Sequence, residues 1–211
     1  MVLNKKKTKI MLFNTSTKYD FQPELKVDGE VLEVVSQMKL LGVIVSDDLR
    51  WHENTLFITK KAYSRIWMLR RLKQMGANNQ ILLDTYYKQI RSVLEFACVV
   101  WNSGLTQENI HEIERVQKSV LGVILGSNYR TYEEACLELN VKTLTERRKE
   151  LSVKFGKKAS SHPVHKSWFV KNPEENITRT KKPTYKPACT RTDRFRKSAI
   201  PYLTTLLNEA K

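Results

Sequence analysis

Leu83-Asp84-Thr85-Tyr86-Tyr87-Lys88-Gln89-Ile90-Arg91-Ser92-Val93-Leu94-Glu95-Phe96-Ala97-Cys98-Val99-Val100-Trp101 carries the strongest periodic signal in the chain. Leu83, Tyr86, Tyr87, Ile90, Val93, Leu94, Ala97, Cys98 and Trp101 recur at three and four residues, as one face of a buried helix does. Gly104 follows as a stop. On the N-terminal side, Ile58, Ala62, Ile66, Leu69 and Leu72 share a second helical face, and Gly76 is placed as its C-terminal cap. On the C-terminal side, Thr106 can cap a third helix. Its inward residues are Ile110, Ile113, Val116, Val120, Leu121 and Ile124, and Gly126 ends it. Thr131-x-x-Glu134 and Thr143-x-x-Glu146 have the spacing of capping boxes, in which two otherwise unpaired backbone N–H groups are satisfied reciprocally. They open a short helix through Leu139 and a longer one to about Ala159.

Ahead of Trp51 the period shortens to that of strands. Residues 9–13 form a short β-type run. Residues 24–27 and 30–35 flank Asp28-Gly29, a favoured two-residue hairpin turn. Residues 38–45 form a third apolar run with Gly42 inside it, where a glycine marks a bulge or a close backbone approach. Past residue 160 apolar periodicity fades. Five of the six prolines follow position 162, which predicts an extended or disordered arm before a short terminal helix over 200–207, with Pro201 near its first turn. The expected class is α+β. A small antiparallel β piece spans residues 1–50, a mostly α-helical domain spans 51–160, and a basic, partly disordered arm spans 161–211.

The 211 residues carry 37 Lys/Arg against 22 Asp/Glu, a formal net charge of +15. The excess is greatest per residue in the arm, with 11 cations against 4 acids over 162–211. A charge of this sign and size attracts polyanions, nucleic acid first and anionic membrane second. No apolar run is long enough to span a membrane. Three cysteines, Cys98, Cys136 and Cys189, are an odd number without a C-x-x-C pair. They suit a reducing, intracellular setting, nuclear or cytoplasmic, more than a disulfide framework. Cys98 and Cys136 fall in apolar helical patterns and read as core residues.

A further set of landmarks has a fixed order. Asn4-x-x-Lys7-Thr8-x-x-Met11-x-Phe13 opens the chain, Lys39-Leu40-Leu41-Gly42-Val43 follows, and Asp48-Leu49-x-Trp51 comes next. Further on stand Arg70-Arg71-Leu72, Ile90-Arg91-Ser92-Val93-Leu94-Glu95, Val100-Trp101, Glu114-Arg115-Val116-Gln117-Lys118 and Arg191-Thr192-Asp193-Arg194-Phe195. This order resembles the C-terminal portion of a non-LTR retrotransposon reverse transcriptase of the LINE or jockey type, an RNA-directed DNA polymerase. The resemblance implies the end of a truncated palm, a helical thumb and the region beyond. In that family the metal-binding aspartates precede the Asn-x-x-Lys-Thr segment. It therefore implies a fragment that holds template–primer nucleic acid, RNA and DNA, without joining nucleotides. Mg²⁺ belongs to the intact family enzyme, and no cofactor is expected on this chain. An element-encoded ribonucleoprotein is a further implied partner. By the same resemblance Lys7 would lie near the departing pyrophosphate, and Leu41 and Gly42 near the primer backbone.

The residues themselves offer cationic candidates. Arg65, Arg70, Arg71 and Lys73 lie near the end of the first helical segment, and Lys88 and Arg91 lie on the polar side of the second. Such side chains contact phosphate and position a duplex without reading sequence. The alternative is a solvated polar face. In the arm, Lys181, Lys182, Lys186, Arg191, Arg194, Arg196 and Lys197 are interleaved with Trp168, Phe169, Tyr185 and Phe195. Cations for phosphate and aromatics for bases suit a single strand. Asp47-Asp48 reads as a turn into the Trp51 helix and not as a metal pair. His162-x-x-His165 lacks a second ligand pair with which Cys136 or Cys189 could close a tetrahedral zinc site. A competing reading is a helical protein-interaction module that packs Trp67, Tyr86, Tyr87 and Trp101 on a partner.

Overall fold

The computed structural model describes residues 4, 8–13, 24–27, 29–172 and 183–210. Among the described residues the β part is three small two-stranded sheets. β1 (Lys9–Ile10) pairs in parallel with β4 (Glu33–Val34). β2 (Lys26–Val27) pairs antiparallel with β3 (Glu30–Val31). Val27 pairs with Glu30, in the register of the expected hairpin, and Gly29 takes φ 82°. β5 (Gln37–Leu40) and β6 (Val43–Ser46) form an antiparallel hairpin in which Leu40 faces Val43. The third apolar run is thus two strands, not one strand with a glycine bulge. Leu41 at φ 47° and Gly42 at φ 92° supply the two left-handed residues that a tight hairpin turn requires. Leu41 is 90% exposed at the tip, so its place within an apolar run concealed the turn.

Among the described residues ten α-helices follow, with π and 3₁₀ turns between them. α1 (His52–Tyr63) and α2 (Ile66–Gln74) bury Ile58, Ala62, Ile66 and Leu69 on one face. Gly76 at φ 83° closes α2. Its N–H donates to Lys73 O at 3.0 Å and that of Ala77 to Leu72 O at 3.0 Å, the double bond pattern of a Schellman end. α3 (Asn79–Thr85), a π-turn (Tyr86–Arg91), α4 (Ser92–Leu94) and α5 (Cys98–Trp101) replace the single long helix expected over 83–101. α6 (Gln107–Leu125) is central and packs on α1, α2, α3, α7 and α8. α7 (Tyr132–Glu138) begins at Thr131. α8 (Leu144–Ser161) begins at a complete capping box, with Thr143 Oγ1 accepting from Glu146 N at 3.2 Å and Glu146 Oε2 from Thr143 N at 3.1 Å. α9 (Asp193–Arg196) and α10 (Ala199–Glu209) complete the order.

The π-turn has a reason in the sequence. Tyr86, Ile90, Leu94 and Cys98 are all buried and recur every four residues. Four residues overshoot an α-turn of 3.6, so the buried stripe would drift round the helix. A π-turn takes in an extra residue and holds the stripe on the core. The helix then breaks at Ala97, which sits at φ 49°. Trp101 Nε1 donates to Phe96 O at 3.0 Å and satisfies a carbonyl left free by the break. Because a β-carbon makes the left-handed region unfavourable by about 1 kcal/mol, Ala97→Gly is expected to raise stability by about 0.5–1 kcal/mol. A helix running through this point would instead lose about that much. Urea denaturation reads the sign, and a loss would refute the break.

The C-terminal segment is less loose than its composition suggested. Phe169, Leu203 and Leu207 are buried with Ala159 in a second small core. Gly156 makes room for it, since a β-carbon there would stand 3.3 Å from Leu207. The segment therefore folds back on α8 through α10, and an antiparallel bridge between Lys171 and Tyr185 ties two parts of the segment to each other. The short terminal helix expected over 200–207 is present as α10, with Pro201 in its first turn. Among the described residues no helix is long and apolar enough to cross a membrane.

Candidate nucleic-acid interface

The predicted cations divide into two groups once their contacts are known. Lys73 is engaged in structure. Its Nζ donates to Val123 O at 2.6 Å and Ile124 O at 2.8 Å, where α6 ends. A cation there meets unpaired carbonyls and the negative end of the helix dipole, so Lys73 is a cap for α6 and not a free phosphate ligand. Arg65 donates from Nη1 to Gln89 O and ties the start of α2 to the π-turn. Arg91 lies over the Tyr87 ring, 3.9 Å from its centroid, with Nε 3.6 Å from Glu95. Its charge is shared with Glu95, which also holds Arg147 Nε at 3.3 Å.

Arg70, Arg71 and Lys88 are different. All three are exposed. Arg71 makes one long contact, Nη1 to Gln74 Oε1 at 3.4 Å. The side chains of Arg70 and Lys88 have no hydrogen bond or ion pair among the described residues. Residues 65–77 contain no acid. The one acid of residues 79–91, Asp84, holds the Gln80 amide at 3.1 Å. Between α2 and the π-turn runs a groove of about 490 Å³, bordered by Arg71 and Lys88, with Trp67 and Met75 at its mouth. Trp67 is 60% exposed.

The arm contributes less. Arg196 is paired with Asp193, and Lys197 Nζ lies 2.7 Å from the same carboxylate. Both cations hold the Asp193 carboxyl below its usual range. Arg194 borders a cleft shared with Asp48, Arg50 and Trp51, while Arg191 is exposed. Of the expected stacking aromatics, Phe169 is buried against Tyr185, their centroids 5.9 Å apart, and neither presents a free face as Phe195 does. Lys7, Lys181 and Lys182 lie outside the described residues. Leu41 and Gly42 form the hairpin tip, and Gly42 lies against the Phe96 ring, where an added β-carbon would meet Cε1 at 3.0 Å.

Asp48 behaves as a turn residue. Its Oδ1 accepts from Ser46 Oγ at 2.6 Å and from Arg50 N at 3.0 Å. The Ser46 bond is the main reason its carboxyl sits low. His162 and His165 stack with ring centroids 4.8 Å apart, and Trp168 continues the stack at 4.4 Å from His165. No group of three potential ligands capable of holding a metal occurs among the described residues. Of the four aromatics proposed for a protein partner, Tyr86 and Trp101 are fully buried, so they pack the core and are not available to a second molecule. Trp67 alone stands well out of the surface.

What sequence reasoning missed is a buried polar network behind this face. Tyr86 OH donates to Gln117 Oε1, and Gln117 Nε2 donates to Tyr132 OH at 2.9 Å and to Lys142 O at 3.0 Å. Tyr132 OH donates to Glu114 Oε2 at 2.5 Å. Glu114 in turn accepts from Leu144 N at 3.2 Å and Thr145 N at 2.7 Å, which places a carboxylate on the N-terminus of α8. Burial pushes the Tyr86 and Tyr132 phenols up, so both stay protonated donors. Arg148, fully buried beside this network, donates from Nε to Asn102 Oδ1 at 2.9 Å, and burial lowers its affinity for the proton. The signal was present, because Gln117 lies four residues from Ile113 and from Leu121 on the apolar stripe of α6. Comparison of the chain with protein-family models, with curated proteins and with solved structures finds no match.

Proposed function

We propose that this chain holds nucleic acid through phosphate contacts, as the palm-end and thumb portion of a non-LTR retrotransposon reverse transcriptase would. The observation that carries the reading is the acid-free face of α2 and the π-turn, where Arg70, Arg71 and Lys88 stand exposed. Unshared cations on one rigid face gain more from a polyanion than cations already paired, since no intramolecular bond is given up. The ordered landmarks from Asn4 to Phe195 support this reading by their resemblance to that family. The reading assigns the chain the grip on template–primer. Nucleotide joining needs paired carboxylates on metal, and Asp48 is occupied in its own turn.

Binding of a labelled template–primer duplex, measured by anisotropy across a salt series, tests this. Three phosphate contacts release counterions with a slope of about −3 in log affinity against log salt, a loss of about fortyfold between roughly 50 and 200 mM. Cations of the arm would steepen it. A slope near zero, or no binding at the lowest salt, would sink the reading.

A further inference from the structure

We infer that the groove between α2 and the π-turn is a single-strand subsite, in which Trp67 stacks on an unpaired base and Arg71 and Lys88 hold the flanking phosphates. This deepens the nucleic-acid reading and rests on it. Trp67 is the only large aromatic of the α2 face, and at 60% exposure its ring is not needed by the core. Beside it the groove offers Met68 and Leu72 as an apolar floor and Arg71 and Lys88 as a cationic rim. Met75 at the mouth is 82% exposed, so its side chain is open to an incoming flat group. A volume of about 490 Å³ is that of a small-ligand pocket, ample for one nucleotide.

Charge decides the kind of occupant. No carboxylate borders the groove, and every charge on its rim is positive. That composition repels a basic helix and leaves an acidic or phosphorylated chain. Of these, nucleic acid alone supplies both a flat π-face and an anion at each repeat. A paired base would keep its faces within its own stack, so the exposed indole selects an unpaired one. The walls are held together before binding, because Arg65 donates to Gln89 O across the groove. Thr85 and Gln89 add neutral polar groups able to meet a base edge without demanding one sequence.

The test uses the full chain, a dT20 oligonucleotide and the same backbone with abasic sites. The wild type is expected to favour dT20 over the abasic strand by about tenfold, the effect of one stacked base. Trp67→Ala is expected to bind dT20 about tenfold more weakly and to lose the preference, while Trp67→Phe keeps most of it. Arg71→Gln with Lys88→Gln should flatten the single-strand salt slope by about 1.4. Helical circular dichroism should not change in any variant. If Trp67→Ala binds dT20 as the wild type does, with the salt slope intact, the subsite is overturned and phosphate binding stands. Absence of binding to any nucleic acid would overturn both. Trp67-dependent self-association that ignores salt would give the groove to an apolar partner and overturn the subsite.

Discussion

Gln117→Ala is expected to destabilise the protein by about 4 kcal/mol, far more than a polar residue on a helix surface would. The Gln117 side chain is completely buried in α6, and its amide uses both ends. It accepts from Tyr86 OH and donates to Tyr132 OH and Lys142 O. Truncation leaves a buried phenol without an acceptor and a carbonyl without a donor, each worth about 1–3 kcal/mol. A cavity adds to that. The cause can be separated by a cycle. Gln117→Met keeps the volume and orphans the same groups. Combining it with Tyr86→Phe removes the donor that lost its partner, and paired apolar replacement is far better tolerated than a single orphan. The double variant should therefore recover about 1 kcal/mol relative to the sum of the two single changes. Chemical denaturation measures all three, and strict additivity would show that the network is not coupled.

That network explains how much of the fold the sequence disclosed. The helical faces of α1, α2 and α6 were legible because enough of their inward residues, such as Ile58, Ala62, Ile66, Leu69, Ile113, Val116 and Val120, are apolar and recur at three and four. The caps at Asn78, Thr106, Thr131 and Thr143 all accept a bond from the backbone N–H three residues on, though only the first of these had no forecast. Elsewhere composition and geometry diverged. Leu41 is apolar but forms a turn tip. Ala97 fits a helical stripe but breaks it. Gln117 and Asn109 are polar but buried, and Asn109 joins the strand–helix junction by holding Arg50 O at 3.4 Å and His52 Nδ1 at 3.3 Å. Each exception depends on a partner distant in sequence, which local periodicity does not record.

The candidate interface was legible in kind but not in detail. Residue type placed cations on α2, but their roles follow from what each one reaches. Lys73 lies within reach of the end of α6, 50 residues away, and becomes a cap. Arg70, one turn earlier, meets nothing comparable and stays free. A helical net alone draws both on the surface. Trp67 was first grouped with three aromatics that are mostly core, and its exposure is what distinguishes it.

Trp101→Ala is expected to cost about 4–5 kcal/mol, because it combines the largest fully buried side chain with a bond that closes a backbone break. The indole is fully buried in the main core, on the helix that packs against α8, and its N–H satisfies Phe96 O. Trp101→Phe keeps most of the packing and orphans only that carbonyl, so it should cost about 1–3 kcal/mol. The difference between the two variants isolates the cavity. A second consequence reaches the β hairpin. Phe96 is held outward by the break, and its ring covers Gly42 at the β5–β6 turn. If Trp101 fixes the break, loss of its N–H should loosen that contact. Amide exchange at Ile44 and Val45 should then speed up in Trp101→Phe more than exchange in α8 does. Equal acceleration in both places would show that the break holds without the indole bond, and that Phe96 finds its place on Gly42 through hairpin packing alone.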